Sequence, residues 1–211
     1  VPRANFKNVE ESLIAWINRI ESNPNSVAIL AVFSHGQASR RRTAILFEDY
    51  GTVALKPYAG MTEAEQLIDA LSTLAPRDKL VIFDCCRMQV DLQLPHQGGF
   101  GTELIGGRAG AIPVRPQVMM STQYDGAGFG GQGGRPTLFA TALLDGLRGC
   151  AADSDDLTVN TRRLAEITER ILGLWCKDEE PIQVPDTQES RSFVVTKVPN
   201  LDRTAIFISL E

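Results

Sequence analysis

The sequence predicts an α/β fold, a mainly parallel sheet flanked by helices. Two short runs that are apolar almost throughout, Val27–Phe33 and Lys79–Phe83, have the length and composition of strands buried on both faces of a parallel sheet. Segments with apolar residues at helical spacing lie before, between and after them. That alternation of strand and helix is the pattern of α/β proteins.

In chain order, Phe6, Val9, Leu13, Ile14, Ile17 and Ile20 mark an amphipathic helix over 6–21, which Asn23-Pro24-Asn25 ends. The first apolar strand follows, with Ser34-His35-Gly36 directly at its carboxyl end. Residues 43–48 read as a short strand. Thr62 and Glu65 have the spacing of a capping box ahead of a helix running to about Ala75. The second apolar strand runs into Asp84-Cys85-Cys86-Arg87. A further strand is expected over 117–121, and Gly126 to Gly134 reads as a mobile, glycine-rich loop suited to meeting a substrate. Helices are expected over 137–148 and about 158–175, and strands over 192–196 and 204–209.

The 211 residues, 43% of them apolar, suffice for one core and predict a single domain over 1–211. The formal charge of -5, with no basic face or basic helix, speaks against a nucleic-acid partner. No apolar stretch reaches the roughly 18 residues of a spanning helix, so no membrane partner is expected. The four cysteines, Cys85, Cys86, Cys150 and Cys176, include no CxxC pair, and no metal or cofactor is expected. They suggest a reduced, cytoplasmic setting. Asp153, Asp155 and Asp156 have the spacing of calcium ligands but lack the glycine and closing Glu of an EF-hand. The glycine run lacks the Gly-Lys-Ser/Thr of a phosphate cradle.

Ligands of open α/β sheets gather at the carboxyl ends of strands. His35 and Cys86 both stand there and share one rim if their strands are neighbours. The other histidine, His96, falls between Pro95 and Gln97 and reads as a surface residue. An imidazole can take the proton of a thiol during attack on a carbonyl, and backbone N–H groups then hold the oxyanion. Gly36 and Cys86 are the expected donors.

An apolar strand ending in Ser-His-Gly, followed 51 residues after the histidine by the cysteine of an Asp-x-Cys-Arg strand end, resembles the caspase-like cysteine peptidases. Thr137-Leu138-Phe139 with Leu143-Leu144-Asp145-Gly146-Leu147 resembles the helix after the active-site loops of bacterial members, and Pro2-Arg3-Ala4-Asn5 the segment before their second helix. The resemblance implies a caspase-like sandwich and an endopeptidase acting on protein substrates through His35 and Cys86. It selects Cys86 over Cys85, and strand alternation independently gives the two cysteines opposite faces. Asp84, two residues before Cys86, is the acid that metacaspases and paracaspases carry there, which implies cleavage after Arg or, less readily, Lys. Asp125 is the expected second acid of that pocket, since a carboxylate pairs with a basic side chain and repels an acidic one. Arg40–Arg42 and Arg135 would then be candidate self-cleavage points.

Two departures stand out. Cys-Arg-Met-Gln replaces the Cys-His-Ser-Gly of metacaspases. Family members also carry a strand and helix before the segment matched by Pro2–Asn5, and the 34 residues before His35 cannot contain that unit. A first strand missing from this chain is therefore expected to come from a longer protein or a separate N-terminal fragment. Regulation by processing or an activating partner is implied as well. The alternatives are a catalytically silent scaffold or regulatory subunit and, more weakly without CxxC, a thiol sensor.

Overall fold

The computed structural model describes residues 3–39, 42–56, 58–89, 101–130, 134–176, 183–188 and 190–199. The strand expected over 204–209, His96, Arg40 and Arg41 lie outside them.

The main sheet has four strands in the order β1 (Ala28–Phe33), β5 (Lys79–Asp84), β6 (Gln117–Met120) and β8 (Asp186–Gln188). The first three are parallel and β8 is antiparallel to β6. Strand alternation divides the core in two. Leu80, Ile82 and Met119 pack with α3 (Leu138–Asp145) and α4 (Thr161–Trp175) on one face. Val81, Phe83, Val118 and Met120 pack with α1 (Phe6–Glu21) and α2 (Ala64–Ser72) on the other. The sheet is thus the filling of a sandwich, as the sequence predicts. A second sheet, β2 (His35–Ser39), β3 (Arg42–Leu46) and β4 (Met61–Glu63), is antiparallel throughout, and β7 (Thr158–Asn160) pairs with β9 (Val194–Lys197).

Three local expectations are corrected. Val27–Phe33 is not buried on both faces: β1 forms an edge of the sheet among the described residues, and Ile29 and Phe33 remain 43% and 62% exposed. They lie on the face of α3 and α4, beyond the reach of either helix. The capping box does not form. Thr62 lies in β4, the cap position falls on Glu63, and the Glu65 carboxylate instead accepts the Thr43 N–H of β3 (2.9 Å). Tertiary pairing of β3 with β4 overrides the local pattern. The helix expected from 158 begins at Thr161, because Thr158–Asn160 pair with β9, and Asn160 then caps α4 by accepting the Arg163 N–H. Beyond α3 the chain closes with a π turn over Gly146–Cys150.

Among the described residues no helix is long and apolar enough to cross a membrane. Asp153 and Asp156 each turn an oxygen onto a nearby backbone N–H, of Asp155 and Thr158 respectively, as loop-closing residues do.

Candidate active site

The site forms where β1 leaves the main sheet. Phe33 faces Asp84 in the last rung of the β1–β5 ladder, an offset of 51 residues. Past Ser34 the chain enters β2, and the parallel bridge between Ala38 and Gln89 keeps that same offset. His35 and Cys86 are also 51 apart and fall between these two rungs, where the chain bends at Cys85, so the shared register brings the two residues to the same place along the adjoining segments. His35 is exposed and Cys86 half-buried.

The turn after β5 is fixed from beneath. The Ser121 hydroxyl accepts the Cys85 N–H (3.1 Å) and donates to the Cys85 carbonyl (3.0 Å). Cys85 thereby points into the core and Cys86 away from it. Burial pushes the Cys85 thiol up to about 12, which leaves it inert near neutral pH. Of the two cysteines, Cys86 is the one open to chemistry.

Backbone hydrogen bonds zip β2 to the segment after β5. Ser34 N–H donates to the Asp84 carbonyl (3.1 Å) and Ala38 N–H to that of Met88 (2.9 Å). Gly36 N–H, at the alternating position between them, is turned toward the same Cys86 segment. A Cβ on residue 36 would meet the Cys86 carbonyl oxygen at 2.5 Å and the Cys85 Cβ at 2.9 Å, so only glycine allows this approach.

Asp84 and Asp125 stand apart in role. Asp84 is 6% exposed and accepts a hydrogen bond from the Thr137 hydroxyl, which also caps α3 by accepting the Ala140 N–H. Burial raises the Asp84 carboxyl above the usual carboxylate range, opposed by the hydroxyls of Thr137 and Ser121. Asp125 is exposed and adopts φ +65°, a conformation Asp tolerates in turns. Its carboxylate accepts the Gln89 N–H (3.0 Å) and its own N–H donates to the Arg87 carbonyl (2.9 Å). It clasps the segment after Cys86 and shares no partner with Asp84.

Sequence reasoning passed over Arg87, Thr137, Gly128 and Gln183. The Arg87 guanidinium is buried and joins three elements: Thr43 Oγ1 of β3 (3.1 Å), the Thr122 carbonyl after β6 (3.1 Å) and the Asp186 carboxylate of β8 (2.6 Å). Its position beside Cys86 was the available signal. Gly128 N–H donates to Cys86 Sγ at 3.3 Å, a backbone contact that no residue type announces.

The crystal structure of caspase-1 from Spodoptera frugiperda superposes with a TM-score of 0.58 at 15% identity, covering 94% of this chain and 73% of that one. The chain has a caspase-like fold. A structure of pro-sf-caspase-1 matches at a TM-score of 0.48 and 17% identity, over 83% of this chain and 69% of that one. No family model and no curated protein matches the sequence. At these identities the likeness concerns the fold, and the chemistry of this caspase-like chain has to be argued from its own residues.

Proposed function

We propose that the chain is a cysteine endopeptidase that cleaves proteins after basic residues, through His35 and Cys86. The observation that carries this reading is the common register: the rungs on either side, Phe33 with Asp84 and Ala38 with Gln89, have the same 51-residue offset as histidine and cysteine, at the carboxyl ends of adjacent parallel strands. In the proposed reaction Cys86 Sγ attacks the scissile carbonyl carbon while His35 takes the thiol proton. The Gly36 and Cys86 amides receive the oxyanion. His35 returns the proton to the leaving amine as the C–N bond breaks, and water then hydrolyses the thioester.

Asp84 supplies the specificity in this reading. A guanidinium entering beside a buried carboxylate would favour its ionised form and form charge-assisted hydrogen bonds, whereas a substrate Asp would be repelled. Asp125, exposed on the turn after β6, would act as a second acid toward the same substrate side chain. Two features bear on partners and setting. A groove of about 980 Å³ follows β1, lined by Leu13, Trp16, Ile29, Val32, Phe33 and Ile45 and reaching His35. An activating polypeptide, or a separate N-terminal fragment of the same protein, could add a strand there. Four free thiols suit a reducing, cytoplasmic environment.

The test uses matched fluorogenic peptides ending in Arg, Lys or Asp, with the full-length protein and Cys86→Ala. Cleavage after Arg and Lys that disappears in the variant is expected. Cleavage only after Asp would overturn the role of Asp84, and activity that survives in Cys86→Ala would overturn the nucleophile.

A further inference from the structure

We propose that Gln183 is a positioning residue that holds Gly126–Gly130 as a shield over the Cys86 thiol. The inference rests on Cys86 being the nucleophile. The sulfur accepts the Gly128 N–H at 3.3 Å and lies 3.8 Å from the Gly128 carbonyl oxygen, so one peptide residue of the chain's own backbone already covers it. An attacking thiolate needs a carbonyl carbon about 3–3.5 Å from sulfur. Substrate and Gly128 therefore compete for the same space.

The segment is tied down along its length. Arg87 N–H donates to the Gly126 carbonyl (3.0 Å), Leu138 N–H to the Phe129 carbonyl (3.3 Å), and Phe129 N–H to Gln183 Oε1 (3.2 Å). Gln183 is 2% exposed, and its Nε2 donates to the Ser121 carbonyl (2.9 Å), at the residue that also braces the turn of Cys85. Both ends of one side-chain amide thus bridge the shield to the carboxyl end of β6. The tie through Gln183 is made by a side chain and the other two by backbone, so a single substitution can release it. Glycines at 126, 128 and 130 let the freed backbone swing away with little steric resistance.

Iodoacetamide modification of the full-length protein, followed site by site by peptide mass mapping between pH 6 and 9, tests the shield without needing turnover. Gln183→Leu keeps the size of the side chain and removes both hydrogen bonds. It should speed alkylation of Cys86 about tenfold at every pH, with half-buried Cys150 as an unchanged reference. An unchanged Cys86 rate in the folded variant would overturn the proposal. So would a slower rate with its midpoint moved to higher pH, which would mean that the Gly128 amide activates the thiolate. Should the variant not fold, amide exchange of the wild-type protein decides. Protected Gly128 and Phe129 amides support the shield, and exchange at free-peptide rates removes it. Faster alkylation in a chain that cleaves no peptide would keep the shield and count only against the peptidase reading.

Discussion

Replacing Gly36 by Ala probes the contact on which the candidate site depends. The new methyl carbon would sit 2.5 Å from the Cys86 carbonyl oxygen, 2.9 Å from Cys85 Cβ and 3.0 Å from Cys85 Sγ. Non-bonded carbon contacts settle near 3.5 Å, so β2 and the Cys86 segment must part by about 1 Å. The two nearest obstacles are a backbone oxygen and a Cβ, which cannot turn aside, and two hydrogen bonds, from Ser34 and Ala38, resist the parting on either side. Overpacking of this kind costs about 1–3 kcal/mol, or roughly 2–12 °C in Tm for a chain of this size. A displacement of about 1 Å between reacting groups lowers kcat/KM by roughly a hundredfold. Thermal melting and peptide cleavage measure the two effects. Gly173→Ala is the control of opposite sign. That residue is exposed in α4 with nothing within 4 Å of its added carbon, and the substitution should stabilise by about 0.5–1 kcal/mol through helix propensity. A Gly36→Ala protein with unchanged Tm and cleavage rate would refute the close approach of these two segments.

Asp84 gives a pH signature. Its folded carboxyl titrates above the ordinary value of 3.8, so the fold favours the protonated form. The stability this confers is complete below 3.8 and is lost as pH rises through the raised folded value. Asp84→Asn, which can still accept from Thr137, should raise Tm at pH 7 and match wild type near pH 3, while losing cleavage after Arg; equal melting curves at both pH values would contradict the raised carboxyl. At pH 8 iodoacetamide should label Cys86 and leave Cys85, whose thiol is pushed up to about 12; equal labelling would refute the opposed orientations. Arg87→Met deprives Asp186, Thr43 and the Thr122 carbonyl of their shared donor and should cost about 3 kcal/mol, seen as a lower urea midpoint. Asp186→Asn, at a side chain 34% exposed, should cost less, and a reversed order would speak against the clamp.

Burial explains which parts of the architecture the sequence announces. Lys79–Asp84 is buried at every position, and the apolar run Leu80–Phe83 within it says so. Val27–Phe33 carries a similar run yet ends at a sheet edge, because apolar composition records what a strand can bury and not what covers it. β2 was invisible: His35-Gly36-Gln37-Ala38-Ser39 has no strand composition and is extended only because β3 and the Cys86 segment pair with it on either side. The candidate pair His35 and Cys86 could be picked out because a 51-residue spacing coincides with the register of two parallel strands. Its braces could not. Ser121, Thr137 and Gln183 reach across 36, 53 and 62 residues of chain, and no local pattern encodes such distances.

The exposed margin of β1 also has a colloidal consequence. A strand that turns Ile29 and Phe33 to water beside a ladder edge left open among the described residues is a template for stacking against its own kind. Concentrated solutions of the isolated chain should therefore scatter light in proportion to the time they stand. A lysine at position 29 would calm that behaviour by placing charge where a second copy would have to lie, and would leave the buried side of the sheet untouched.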